Sequence, residues 1–255
     1  MAGRGLFGLA SLILIAGGVL LMLFILLAGA IDGNPVNRWY LLEADVSGIP
    51  NAPNGIARWS YWNVCPVDGD RTACGDADYE KVHPAFPLDP ASHRTFDTTV
   101  NVPQNFVDNH GYYFYLTRFM FAFMLIALFF AVMALFTGLL ALCTRIGAYL
   151  SGLLAFIALF FQLIQASLMT AAYVKGRNNF RDADRSAKIG QYAFGFEWAA
   201  AACFLLATIL FCLGGRGDKN TKTYSSGRRN FFKGKRSTST RSRGSFINGN
   251  KEYST

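Results

Sequence analysis

Four apolar runs, at residues 6–30, 119–142, 147–174 and 191–213, dictate what this chain can become. Each is long enough for a helix to cross a hydrocarbon core about 30 Å thick, which takes roughly 20 residues. In that medium every backbone polar group needs a partner within the protein, so the runs read as helices and the chain as a mainly α, four-span membrane protein. Charged residues are only 16% of the chain, below the roughly one quarter of ordinary soluble domains, which agrees.

Two features near the N-terminus have competing readings. Ala28-Gly29-Ala30 has the look of a signal-peptidase site, but the apolar run before it is longer than the roughly 7 to 15 residues of a signal sequence, so the first span reads as a retained anchor. Gly3-Arg4-Gly5-Leu6-Phe7-Gly8 formally matches GxGxxG. A dinucleotide site needs a preceding strand, for which residue 3 leaves no room.

Charge sets the orientation. Residues 214–255 hold 11 Lys and Arg against two acidic residues, whereas residues 31–117 hold five against 11. The positive-inside rule puts the tail in the cytoplasm. The resulting map has a short cytoplasmic N-terminus and first span at 1–30 and an extracellular loop at 31–117. Spans two, three and four lie at 118–142, 147–174 and 191–213, with a cytoplasmic turn at 143–146, a second outer loop at 175–190 and a disordered basic tail at 214–255. The second outer loop runs against the rule, since residues 175–188 carry five Lys and Arg and two Asp.

The five cysteines divide by compartment. Cys65 and Cys74 fall in the outer loop with eight residues between them, and an oxidising exterior allows them to form a disulfide. Cys143 and Cys212 lie at the cytoplasmic ends of spans two and four, which suits either S-palmitoylation or packing. Cys203, inside span four, reads as packing.

The 87-residue outer loop is too small to be stable without support. Its stretch RWSYWNVC, residues 58–65, alternates aromatic and β-branched side chains as a strand with both faces partly buried would. Asp68, Asp70, Asp76, Asp78 and Glu80 crowd the second cysteine but lack the calcium-loop pattern, and read as a solvated acidic loop. His83, His93 and His110 show no zinc spacing.

Trp59-Ser60-Tyr61-Trp62-Asn63-Val64-Cys65 followed by Cys74 resembles the W…LW…C…C signature of claudin-type four-span proteins. The runs at 112–119, YYFYLTRF, and 190–198, GQYAFGFEW, narrow the resemblance to the fungal SUR-seven/PalI family of plasma-membrane proteins, on its eisosome-associated SUR-seven branch. It covers about residues 6–213. The resemblance implies a claudin-like, left-handed four-helix bundle carrying a small extracellular β-sheet stapled by Cys65 and Cys74, with the tryptophans anchoring sheet to bundle. One departure stands out: Tyr61 occupies the position of the signature's Leu.

Within the spans, Ala127, Ala131, Ala134 and Gly138, and Gly195 with Ala199, fall at helical spacing and allow close helix approach. Gln162 and Gln165 lie one turn apart in span three. Glu197 lies about two turns into span four, and an ionisable group at that depth marks a site by default. Its natural partners are a Gln or Arg118, which enters from the same side. A conducting pathway needs more polar lining than this.

The tail cannot bury enough apolar surface to fold alone. Arg228, Arg229, Lys233, Lys235 and Arg236 with Phe231 and Phe232 form a patch suited to anionic lipid or a scaffold protein, with adjacent Ser and Thr as phosphorylation acceptors. No nucleophile–base pair, metal cluster or phosphate loop is present, so the chain reads as non-enzymatic, with no cofactor, metal or nucleic acid. By resemblance it is a structural organiser of the furrow-like eisosome compartment, tied to cell-wall integrity, endocytosis and lipid balance. The partners so implied are anionic lipid, sphingolipid or sterol, further copies in lateral assembly, and cytoplasmic eisosome scaffold proteins. The alternatives are a PalI-like accessory of an ambient-pH receptor and a claudin-type adhesion protein.

Overall fold

The computed structural model describes residues 2–31, 33–74, 83–141 and 144–215, with no account of the side chains of residues 2–5 and 145. Cys143, the tail patch from Arg228 to Arg236, and Asp76, Asp78 and Glu80 lie outside the described residues.

Four long helices form the bundle: α1 Ala2–Leu27, α3 His110–Ala141, α4 Arg145–Asp182 and α5 Gln191–Gly215, with the short α2, Gln104–Asp108, leading into α3. Each is long and apolar enough to cross a membrane. Helix α1 packs on α3 and α5, and α4 packs on the same two, so the helices close a four-membered ring. Helix α4 is started by Thr144, whose hydroxyl accepts the Gly147 N–H at 3.0 Å, an N-cap that satisfies one of the free first-turn donors.

Small residues fill the inside of the ring. Ala127, Ala131 and Ala134 are fully buried, and a Cβ on Gly138 would meet Leu12 at 2.6 Å and Phe211 at 3.3 Å. The α3 small-residue face is therefore buried within the bundle and is not open to another copy. On α5, by contrast, Gly195 and Ala199 are exposed on the flank.

At 38 residues α4 is about 57 Å long, well beyond the roughly 30 Å of a hydrocarbon core. Much of the segment expected as a loop at 175–190 is thus helix. The extra turns persist because the sheet end gives them partners: Phe180 packs on Trp59 and Phe106, and the Asn179 amide donates to the Tyr113 hydroxyl at 2.7 Å.

The sheet has five strands in the order β4-β3-β2-β1-β5, with all pairings antiparallel. These are β1 Leu42–Asp45, β2 Ile56–Trp59, β3 Val64–Asp68, β4 Arg71–Thr72 and β5 Ala187–Ile189. Strand β5 comes from the connection between α4 and α5, so the two inter-helix segments at this end share one sheet. The cross-strand pair Glu43 and Arg58 forms a largely buried ion pair at 2.8 Å. The disulfide between Cys65 and Cys74 ties β3 to the chain just after β4.

Candidate functional site

The stretch at 58–65 is two strands and a tight turn, not one strand. Strand β2 ends at Trp59, β3 begins at Val64, and the Ser60 N–H donates to the Asn63 carbonyl at 2.9 Å across the tip. Ser60 explains why the chain turns here: its side-chain oxygen accepts from the N–H groups of Trp62 and Asn63, the local bonding by which Ser competes with strand structure.

That turn sends each large aromatic residue to a different part of the bundle. Trp59 is fully buried between Phe96 and Phe180. The Trp62 indole packs edge-on against Phe121 of α3, and its N–H donates to the Leu26 carbonyl. Leu26 lies in the last turn of α1, whose final carbonyls have no partner within the helix, so Trp62 satisfies one of them. Further round the ring, Trp39 sits between Phe24 of α1 and Phe196 of α5.

Tyr61 points into the bundle, where it meets the intramembrane polar residues. Its hydroxyl accepts the Gln165 side-chain N–H at 2.7 Å and lies 3.4 Å from a Glu197 carboxylate oxygen. Gln165 also donates to that oxygen at 3.2 Å, and Gln162 donates to the other at 2.6 Å and to the Glu197 backbone carbonyl at 3.3 Å. All four side chains are essentially inaccessible to solvent. Glu197 is six residues into α5, about 9 Å along the helix axis, and the two glutamines lie one turn apart on α4 and so share a face. Burial pushes the Tyr61 phenol well above its ordinary value, which keeps it a neutral hydrogen-bonding group.

This junction ties three elements together: the hairpin tip, α4 and α5. A carboxyl group met by two amides and a phenol has its oxygens satisfied by fixed dipoles, which offsets the cost of burying it. Of the two partners the sequence offers Glu197, a Gln or Arg118, the structure brings both Gln162 and Gln165 to it, and Tyr61 joins them. Arg118 does not: its guanidinium sits 3.9 Å from the centre of the Phe114 ring, one turn away on α3. A cation–π contact at the helix surface avoids the desolvation that pairing with Glu197 inside the bundle would impose.

Of the remaining residues, Cys212 is exposed near the end of α5, beside an apolar groove of about 300 Å3 whose lining includes Tyr149 and Phe156. Cys203 is half-buried on the same helix. The buried Asp89 pairs with His110 at the start of α3, a contact that the scattered spacing of the histidines concealed.

A model of the SUR7/PalI family matches residues 7–210. The chain is 40% identical to Protein SUR7 of Candida albicans over 206 residues, covering 80% of this chain and 72% of that relative. It is 31% identical to Protein SUR7 of Saccharomyces cerevisiae over 217 residues, 85% of this chain and 70% of the relative. Over 204 residues it is 30% identical to the uncharacterized plasma membrane protein YNL194C of Saccharomyces cerevisiae, 79% of this chain and 65% of the relative.

Proposed function

The chain belongs to the SUR7/PalI family of membrane proteins, and from that premise we propose that it is a non-catalytic organiser of a fungal plasma-membrane domain, the furrow-like eisosome compartment. The sheet faces outward, both termini lie in the cytoplasm, and the basic tail contacts anionic lipid or a cytoplasmic scaffold. Its contribution is lateral assembly, by which copies hold a patch of membrane in a fixed composition and so support the wall above it and restrain uptake beneath it.

The observation that carries this reading is the exposed small-residue face of α5. Gly195 and Ala199 lie one turn apart on the bundle flank, and nothing comes within 4 Å of a Cβ placed on Gly195. Small residues facing lipid let a second helix approach closely, a packing contribution that lipid tails cannot match. The hydrogen-bonding groups of the Tyr61, Gln162, Gln165 and Glu197 junction are by contrast turned inward, as a rigid packing unit requires.

The test is live-cell imaging of a C-terminally tagged copy at native expression beside a marker of cortical furrows. Stable, immobile patches on the marker are expected. The variant Gly195→Leu/Ala199→Leu, which has room for its side chains in the monomer, should reach the surface and spread as a mobile signal. A wild-type protein that is itself diffuse would sink the reading and favour the pH-receptor accessory role.

A further inference from the structure

Of the five Lys and Arg at 175–188 that run against the charge rule, two are consumed by structure. Arg185 donates to the carbonyls of Asp45, Ser47 and Asn101, and the Lys175 ammonium lies 4.1 Å from the centre of the Tyr112 ring. The other three, Arg177, Arg181 and Lys188, converge with Arg38 on a cleft of about 780 Å3 between the sheet, the last turns of α4 and the first turn of α5. Arg58 also lines it, but is neutralised by Glu43. The lining holds one carboxylate, Asp70, whose contact with Arg38 is a loose 3.9 Å between exposed side chains. Among the described residues Arg177, Arg181 and Lys188 have no carboxylate partner. Among the same residues Arg177 donates only to the neighbouring Asn178, and Arg181 uses its Nε on the Ala187 carbonyl with neither terminal nitrogen hydrogen-bonded.

The cleft also has an aromatic wall and a fixed height. Trp39, Tyr40 and Tyr192 line it. Trp39 is held between Phe24 and Phe196, near the ends of α1 and α5, which places the floor at the level where those helices leave the apolar layer. The first turn of α5 opens on it as well, adding the positive end of a 25-residue helix. Guanidinium forks, an ammonium and free helix N–H groups together match the oxygens of a phosphate. Tyr and Trp at this level present flat faces beside it, suited to the polar ring of a headgroup.

We infer that this cleft binds a phosphate-bearing group at the membrane surface, held by Arg177, Arg181, Lys188 and Arg38 against the Trp39 and Tyr192 wall. The chemistry is shared by two sources, a lipid headgroup in the leaflet on the sheet side and a free organic phosphate. The site stands apart from the proposed domain-organising role and survives its failure.

The experiment uses the full chain in which Arg228, Arg229, Lys233, Lys235 and Arg236 are replaced by Gln, so that the tail cannot compete. Retention of phosphatidylinositol and of phosphatidylcholine is measured by native mass spectrometry, and binding of inositol 1-phosphate by titration in neutral micelles. Selective retention of phosphatidylinositol, weakened on the order of tenfold by Arg177→Gln/Lys188→Gln, supports the lipid source. Comparable binding of inositol 1-phosphate, lost in the same variant, supports the free phosphate. Arg181 is left in place because it pins β5, and Arg177→Gln alone serves as the milder variant, since among the described residues Arg177 bonds only to the exposed Asn178. Equal binding by wild type and a folded Arg177→Gln/Lys188→Gln, or no binding of either phosphate, overturns the site.

Discussion

The Tyr61 hydroxyl lies 3.4 Å from a Glu197 carboxylate oxygen, joining residues 136 positions apart and linking the hairpin tip to the interior of the bundle. Tyr61 is also the residue that replaces the signature's Leu, so the departure and the buried carboxylate belong to one arrangement. Tyr61→Phe removes the acceptor of the Gln165 N–H and should cost about 1 to 2 kcal/mol of stability. Glu197→Gln puts an amide opposite two amide donors and should cost at least as much. The double variant should lose less than the sum, with a coupling of about 1 kcal/mol in unfolding experiments in micelles. Strictly additive losses would show that the two groups do not interact.

Trp62 joins the sheet to α1 through one hydrogen bond and to α3 through one ring contact, which two substitutions separate. Trp62→Phe keeps an aromatic ring against Phe121 but leaves the Leu26 carbonyl without its donor, a loss of about 1 kcal/mol. Trp62→Ala removes the packing too, for a further loss of about 2 kcal/mol from a half-buried site. If Phe proves as damaging as Ala, the indole N–H dominates and the ring contact is incidental.

The spans were legible because 20 apolar residues need no tertiary knowledge to interpret, and the Cys65–Cys74 pairing because few outer cysteines left little choice. The burial of Glu197 was legible from its depth, but its partner Tyr61 was not, since nothing local links a turn residue to a helix 136 positions on. RWSYWNVC misled for a physical reason: alternation continues through a four-residue tip, and only the Ser60 hydrogen bonds reveal the break. Strand β5 is three residues, Ala187–Ile189, amid charges, too short to show a pattern. Which small-residue face packs inside was also hidden, because lipid and protein interior are both apolar, so periodicity does not separate Ala127 from Gly195.

Gly190 is held where no side chain fits. Its N–H donates to the Leu41 carbonyl at 3.1 Å, and a Cβ placed on it would lie 1.7 Å from the Tyr40 carbonyl oxygen. The obstacle is backbone, so no rotamer change relieves it. Gly190→Ala must push β5 from β1 or shift the start of α5, costing about 3 kcal/mol, visible as a lower unfolding midpoint and faster hydrogen exchange at residues 187–189. Gly195→Ala, inside α5 with nothing near its Cβ, should be neutral or slightly stabilising, because Ala is the better helix former. Equal effects of the two would mean that the Tyr40 contact does not set the cost.

Asp89 gives the sheet end a pH dependence whose sign can be worked out. Burial raises its carboxyl above the ordinary aspartate range, and the hydrogen bonds from His110 and the Ala91 N–H only partly oppose this. The folded state therefore binds this proton more tightly than the unfolded chain does. Its contribution to stability is complete below the ordinary aspartate value of about 3.9 and is lost as pH rises through the raised folded value. Relative to Asp89→Asn, which has no proton to lose, the wild-type unfolding midpoint should fall across that window. His110→Ala, by removing an interaction that favours the charged form, should move the fall to higher pH. Parallel profiles for wild type and Asp89→Asn would show that Asp89 releases its proton equally readily in the folded and unfolded states.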